Sequence, residues 1–154
     1  MESFLWIVLS YFIGAIPSGY IIGKVFYHVD LKKTGSGNIG ATNAYRELGV
    51  VAGFSVFICD FLKGFIAGHL GMPDPLIVLA CAIAAIVGND WSIFLHFKSG
   101  KGVACGVGAF AYISAPAVLC AFAVWLLVFK AKHIVSLSSI IAAPVVALVL
   151  LIEG

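Results

Sequence analysis

The sequence predicts an all-α membrane protein, a bundle of about five transmembrane helices with its N-terminus outside and two glycine-rich loops in the cytoplasm. Three observations predict this fold class. First, 62% of the 154 residues are hydrophobic and only 10% are charged, whereas soluble proteins carry about 25% charged residues. Second, the apolar residues fall into long runs, and an apolar run of about 20 residues spans the hydrocarbon core as a helix. Third, polar residues and glycines concentrate in two segments between these runs.

The apolar runs define the candidate spans. In chain order they cover residues 4–23, 48–70, 76–97, 103–129 and 134–152. The first contains Pro17, which predicts a kink that neighbouring helices can tolerate. This first span also lacks the basic segment of a cleaved signal peptide, so we expect it to be retained in the protein. The fourth is long enough to tilt in the bilayer. Small residues recur in the spans, which favours close helix packing, and no repeat or linker divides the chain, so we assign residues 1–154 to one domain.

The basic residues predict the orientation. If the spans alternate in direction, the first loop (residues 24–47) and the second loop (residues 88–102) share one side of the membrane, opposite Lys130 and Lys132. Lys and Arg concentrate in cytoplasmic loops, so both loops are predicted to face the cytoplasm. The residues on their side are Lys24, Lys32, Lys33, Arg46, Lys98 and Lys101.

Two other functional classes are disfavoured by composition. The formal net charge is only +2, and the basic residues form no single stripe, which argues against binding of nucleic acid. The four cysteines stand singly in apolar surroundings, without a CxxC motif or a histidine at ligand spacing. They predict neither a zinc or other metal site nor a disulfide framework.

The first loop contains GSGNIGATN (residues 35–43), and Arg46 lies three residues after the end of this motif. Glycines allow positive φ angles and close approach of the backbone, so successive N–H groups can turn toward one anion. Ser, Asn and Thr add side-chain hydrogen bonds, and a guanidinium group can bind phosphate with two parallel hydrogen bonds. The alternative is a flexible interfacial turn, which Gly and Asn also favour. The candidate phosphate-binding residues are Ser36, Gly37, Asn38, Gly40, Thr42, Asn43 and Arg46.

The second loop ends in KSGKG (residues 98–102), immediately before an apolar run. Cations and free amide N–H groups at a helix N-terminus form an anion site, so the candidates here are Lys98, Gly100, Lys101 and Gly102. The segment does not fit the nucleotide-binding pattern GxxxxGK[ST], because a glycine follows the lysine. The alternative is an ordinary basic loop with Trp91 as an interfacial anchor. Together the two loops predict one site for phosphorylated reactants, and their cations would also attract anionic lipid.

Asp60 and Lys63 lie inside the second span, three residues apart on one helix face. Ionisable residues at this depth are costly and indicate function by default. Two roles remain open for this pair: an ion pair that only fixes packing, or support for the two loops. We also assign a supporting role to Asn89.

His69 and Asp74 have the H-x4-D spacing of a His/Asp acyltransferase pair. We reject that pair because it lies at the opposite end of the span from both loops.

These motifs resemble those of the bacterial acyl-phosphate:glycerol-3-phosphate acyltransferases, which are multi-spanning membrane enzymes. The resemblance is carried by residues 35–46, by DFLKG at residues 60–64 and by residues 88–104, and it extends over about residues 5 to 110. It implies transfer of a fatty acyl group from acyl phosphate to the 1-position of sn-glycerol 3-phosphate in the bacterial cell membrane, the first step of phospholipid synthesis. The products would be lysophosphatidic acid and phosphate, and no cofactor is implied. The implied partners are acyl phosphate, sn-glycerol 3-phosphate, membrane lipid and the enzyme that produces acyl phosphate.

By position, Ser36 and Arg46 match the essential serine and arginine of that family, and residues 100–102 match its glycerol phosphate loop. Ser36 would be either a nucleophile or a phosphate ligand, and we favour a ligand because no residue is placed as its base. Family members carry a further motif with His, Asn and Glu after the last helix, whereas this sequence ends at Gly154. The resemblance therefore implies a domain that lacks its C-terminal portion. The competing interpretation is a non-catalytic binding protein or transporter for a phosphorylated metabolite or lipid, but no inverted repeat is visible.

Overall fold

The computed structural model describes residues 1–153, in which every regular element is helical. The helices are α1 (Glu2–Ala15), α2 (Ser18–Phe26), α3 (Ala41–Leu48), α4 (Val50–Leu70), α5 (Pro75–Asp90), α6 (Val103–Ile113), α7 (Ala115–Lys132) and α8 (Val135–Glu153). A 3₁₀ turn at Ile93–Leu95 separates α5 from α6.

Within these residues, 5 segments are long and apolar enough to cross a membrane, and α6 is a shorter apolar helix. They are Glu2–Phe26, Val50–Leu70, Pro75–Leu95, Ala115–Lys132 and Val135–Glu153. The predicted fold class, an all-α bundle of about five spans, is thereby confirmed. The outside position of the N-terminus and the cytoplasmic position of the loops stay predictions.

The first and fourth predicted spans are both broken. The first has the expected interruption at Pro17, which precedes α2 and cannot donate a backbone hydrogen bond. The fourth, expected as one long tilted helix over residues 103–129, is instead divided into α6 and α7, and that expectation was wrong. The Ser114 hydroxyl accepts a hydrogen bond from the Ala117 N–H at 3.1 Å, and Pro116 lies in the first turn of α7. A serine cap followed by a proline starts a new helix and disfavours helical backbone in the residues before it.

Along the spans, many large apolar side chains are exposed while alanines are buried, in contrast to a water-soluble core. Leu127 is 69% exposed and Leu151 80% exposed, whereas Ala52, Ala67 and Ala85 are fully buried. Helices in lipid associate through close van der Waals packing, which small residues permit. The expectation drawn from the frequency of small residues is confirmed.

The chain forms two compact units, Met1–Ala109 and the part from Phe110 onward. In the first unit, α1 packs against α5 and α4, and α4 also contacts α2, α3 and α5. Gly64 of α4 lies so close to α6 that an added Cβ would overlap the carbonyl group of Cys105. In the second unit, α7 packs against α8, and the Trp125 indole N–H donates to the Ser139 hydroxyl at 3.2 Å. Two structural units can serve one function, and the assignment of residues 1–154 to a single domain stays a prediction.

Candidate active site

Asn43, in the first turn of α3, organises the first loop. It is only 3% exposed, and its Oδ1 accepts the backbone N–H of Ser36 at 3.0 Å. Its Nδ2 donates to the carbonyl groups of Leu31, Thr34 and Asn38 at 3.3, 3.2 and 2.8 Å. An amide has two N–H donors, so these three carbonyls share its full donor capacity. The geometry gives Asn43 the task of shaping the loop, and its direct contact with a substrate stays a prediction.

The loop held in this way presents Ser36 at its surface. Ser36 lies between Gly35 and Gly37, whose φ angles of +55° and +71° fall in the left-handed region that glycine tolerates best. Its side chain is exposed, while its backbone is fixed by the Asn43 side chain. A rigid backbone under an accessible hydroxyl is the arrangement expected of a residue that contacts a ligand.

The first loop then turns into the N-terminus of α3. The Asn38 Oδ1 accepts the Gly40 N–H at 2.7 Å, and α3 begins at the next residue without a side-chain cap. The first N–H groups of a helix have no partner within it and carry partial positive charge. Thr42 is exposed in the first turn of this short helix, and Arg46 is exposed in its last turn. The loop glycines, the start of α3 and Thr42 therefore adjoin one another, while Arg46 lies about one turn further along the helix.

The second loop is fastened to the end of α5. The Gly100 N–H donates to the Asn89 carbonyl at 3.0 Å, and an added Cβ on Gly100 would come within 2.7 Å of the Asn89 Oδ1. Gly102 has a φ of +62° and lies against the Asp90 carboxylate, just before α6 begins. Asn89 is buried and holds the loop through the hydrogen bond from Gly100, while Lys101 of the same loop is exposed.

One hydrophobic cluster joins the two loops. Its buried members Leu31, Ile39 and Ala44 come from the first loop, Val56 comes from α4, and Leu95 comes from the 3₁₀ turn of the second loop. Buried apolar side chains that touch one another cannot belong to opposite ends of a bundle. The two loops therefore lie at the same end of the first unit, as the sequence predicted for them.

Within the described residues, the three cations assigned to the site form no ion pair. Arg46, Lys98 and Lys101 are all exposed, and the ion pair formed within residues 1–153 lies elsewhere, between Lys63 and Asp60. Unpaired cations and free helix N–H groups both attract anions. The surface at this end is thus suited to phosphate groups.

The buried ion pair lies at the break in the first span. The Lys63 Nζ is 2.6 Å from the Asp60 Oδ1 and 2.5 Å from the Ile16 carbonyl oxygen. The hydroxyl of Ser92, in the second loop, donates to the neighbouring Ala15 carbonyl at 2.5 Å. Sequence reasoning found Asp60 and Lys63 from their depth in a span. It missed Ser92, because nothing in the sequence shows a partner 77 residues away.

Asp74, the acidic member of the rejected H-x4-D spacing, has a structural role in this fold. The Asp74 carboxylate accepts the backbone N–H groups of Leu76 and Ile77 and so caps the N-terminus of α5. This use of the carboxylate agrees with the rejection of the H-x4-D spacing as a site.

The four cysteines of the chain are free thiols, two of them exposed and two buried.

Comparison with known proteins shows to which protein family this chain belongs. A family model described as glycerol-3-phosphate acyltransferase matches residues 4–153. The chain belongs to the glycerol-3-phosphate acyltransferase family. The chain is 43% identical to glycerol-3-phosphate acyltransferase 2 of Moorella thermoacetica over 143 residues, which cover 92% of this chain and 74% of the relative. It is 45% identical to glycerol-3-phosphate acyltransferase 2 of Bacillus anthracis over 144 residues, covering 90% and 74% of the two chains.

Two solved structures of an acyltransferase are similar over the whole chain. Both are of PlsY (YgiH), an integral membrane glycerol 3-phosphate acyltransferase. The glycerol 3-phosphate form has a TM-score of 0.94 and 37% identity, and the lysophosphatidic acid form has a TM-score of 0.92 and 35% identity. Each comparison covers 100% of this chain and 78% of the solved chain.

Family membership confirms the resemblance drawn from the motifs, and this acyltransferase is an integral membrane protein. The roles assigned to individual residues of the site stay predictions that depend on the geometry of the two loops.

Proposed function

We propose that the chain transfers a fatty acyl group from an acyl phosphate to the 1-hydroxyl of sn-glycerol 3-phosphate, forming lysophosphatidic acid and phosphate. The observation that carries the proposal is the packing of two cation-bearing, glycine-rich loops on one hydrophobic cluster in a member of the glycerol-3-phosphate acyltransferase family. The solved relatives are a glycerol 3-phosphate form and a lysophosphatidic acid form. Those two molecules are the acceptor and the product of the proposed reaction.

The main obstacle to this reaction is electrostatic, because both reactants carry phosphate groups that repel each other. Acyl phosphate is an activated mixed anhydride, so positioning and charge neutralisation provide most of the catalysis that it needs. We assign Lys98, Lys101 and the backbone of residues 100–102 to the phosphate of glycerol 3-phosphate. We assign Ser36, Asn38 and Arg46, with the backbone around Gly37 and Gly40, to the acyl phosphate.

In the chemical step, the hydroxyl oxygen of the acceptor attacks the acyl carbon. The bond from that carbon to the phosphate oxygen breaks, inorganic phosphate leaves with the bonding electrons, and the departing phosphate takes up the proton of the attacking hydroxyl. Negative charge grows on the departing phosphate, and the Arg46 guanidinium can stabilise it through two charge-assisted hydrogen bonds. Because the loop backbone is already fixed by Asn43, little reorganisation is required when this charge develops.

Ser36 acts in this proposal as a phosphate ligand and not as a nucleophile. We therefore expect a Ser36→Cys variant to form no acyl-enzyme when it is mixed with radiolabelled acyl phosphate under single-turnover conditions. Cysteine is the stronger nucleophile, so an acyl transfer through this position would leave a detectable thioester. The wild-type chain, which has four native cysteines, gives the background labelling. Acylated protein above that background would contradict the ligand role.

The proposed location is the bacterial cell membrane, with both loops at the cytoplasmic face. The excess of Lys and Arg in the two loops supports this orientation. Large apolar side chains exposed along the spans provide a lipid-facing surface for the acyl chains of substrate and product. A cytoplasmic site would also be accessible to the enzyme that produces acyl phosphate, which we propose as a partner.

The proposal is tested with the purified chain reconstituted in phospholipid vesicles. We expect phosphate release and lysophosphatidic acid formation that require both acyl phosphate and glycerol 3-phosphate. Uptake of glycerol 3-phosphate into the vesicles without acyl transfer would contradict the proposal and favour a transporter. Vesicles without protein provide the control for spontaneous hydrolysis of acyl phosphate.

A further inference from the structure

We infer that Ser92 and Lys63 are positioning residues that tie the break in the first span to the second loop and to α4, and so hold the two loops at a fixed separation. The inference rests on the proposed function, because the separation of the loops has a catalytic meaning only if each loop binds one reactant. Neither residue is exposed to a substrate. Ser92 is fully buried, and Lys63 is 6% exposed.

The break leaves backbone carbonyls that need partners. α1 ends at Ala15, and Pro17 has no N–H with which to continue the helical hydrogen bonds. Carbonyl groups freed inside a membrane protein must be satisfied by other protein groups. Ser92 donates to the carbonyl of Ala15, and the carbonyl of Ile16 accepts from the Lys63 ammonium group and from the Ser18 N–H.

Both side-chain partners come from outside the first span. Lys63 belongs to α4, and its charge is balanced by Asp60 at 2.6 Å. A cation paired in this way can bind a carbonyl without leaving an uncompensated charge in a buried site. Ser92 lies just after α5, and its own carbonyl accepts the Phe97 N–H at 2.8 Å, which closes the turn of the second loop. The break is thereby held from two sides.

The first loop is attached to the other side of the same break. In α2, which begins directly after it, Gly19 packs so closely on the Ile39 carbonyl that an added Cβ would overlap that oxygen. Tyr20 and Ile22 pack on the cluster that contains Ile39 and Leu95. A shift of α2 relative to Ser92 would therefore move the first loop relative to the second.

The first test compares two buried serines of the same unit. Ser92→Ala removes the hydrogen bond to the break. Ser10→Ala is the matched control, because Ser10 is equally buried and its hydroxyl has no hydrogen-bond partner among residues 1–153. We expect Ser92→Ala to lower kcat about tenfold while KM for each substrate changes by less than about twofold, since misplacement of bound reactants slows the chemical step. We expect Ser10→Ala to leave kcat within about twofold of wild type.

The second test measures the separation of the loops directly and needs no catalytic activity. Spin labels are attached to Lys33→Cys and Ile93→Cys, both at exposed positions, after the exposed Cys59 and Cys120 have been replaced by alanine. Electron paramagnetic resonance distances are then compared with and without Ser92→Ala. We expect the substitution to broaden or shift the distance distribution, and Ser10→Ala to leave it unchanged.

Lys63 is tested through the double variant Asp60→Asn/Lys63→Met, because removal of the lysine alone would leave a buried unpaired carboxylate. We expect the double variant to lower kcat and to broaden the distance distribution as Ser92→Ala does. A wild-type kcat in Ser92→Ala, or a lowered kcat with an unchanged distance distribution, would overturn the inference. An inactive wild-type chain would overturn the proposed function instead, and the distance measurement would still decide whether Ser92 fixes the loops.

Discussion

Replacement of Arg46 by alanine is expected to lower kcat/KM by about 10²–10³-fold, the size of effect seen when an enzyme loses one group that stabilises transition-state charge. Arg46 is exposed on α3 and forms no ion pair within residues 1–153. Its planar guanidinium can give two parallel hydrogen bonds to a phosphate group. The measurement is the initial rate of phosphate release at varied acyl phosphate concentration.

Two further variants separate the guanidinium from general positive charge. Arg46→Lys keeps the charge but loses the paired donors, so we expect an activity between those of wild type and Arg46→Ala. Lys33→Ala removes an exposed cation of the same loop that is not assigned to the site, and we expect a change of less than about threefold, since isolated surface charges contribute little. If Arg46→Ala were no more impaired than Lys33→Ala, the assigned role of Arg46 would be wrong.

Hydropathy predicted the spans well and their interruptions less well. The membrane class follows from composition alone, and residues 4–23, 48–70, 76–97 and 134–152 correspond to spans in the structure. The break at Ser114 was missed because residues 103–129 are apolar throughout, and a hydropathy window averages over a single serine and proline. Pro17 was predicted as a kink. The sequence did not predict that α4 and the second loop would bind two backbone carbonyls at this kink, because those contacts depend on tertiary packing and not on a local sequence pattern.

The candidate site was predicted by residue type, while the direction of each side chain was not. Glycines, Ser36, Arg46 and the lysines were found because their chemistry suits phosphate. Asn43 was assigned to the substrate on the same ground, yet its amide binds the backbone of its own loop. A sequence shows that an amide can form hydrogen bonds but does not show with which partner.

The hydrogen bonds of Asn43 lead to the second large expected effect. We expect Asn43→Ala to lower kcat/KM about 10²-fold, because four backbone groups of the first loop lose one common partner and the loop no longer holds Ser36 in place. Asn43→Asp has nearly the same shape, but a carboxylate cannot donate to the carbonyls of Leu31, Thr34 and Asn38 and would repel them. We therefore expect the aspartate variant to be at least as impaired as the alanine variant.

The control for these variants lies in the same loop. Thr34→Val removes the single hydrogen bond from the Thr34 hydroxyl to the Asp30 carbonyl, which is 3.4 Å long, without touching the Asn43 side chain. We expect its activity to stay within about threefold of wild type, because one long hydrogen bond contributes little. Hydrogen exchange of the amides of residues 34–40 should accelerate in both Asn43 variants and stay near the wild-type rate in Thr34→Val. Full activity in Asn43→Asp would show that the donated hydrogen bonds do not set the geometry of the loop, since this substitution removes them while retaining the size of the side chain.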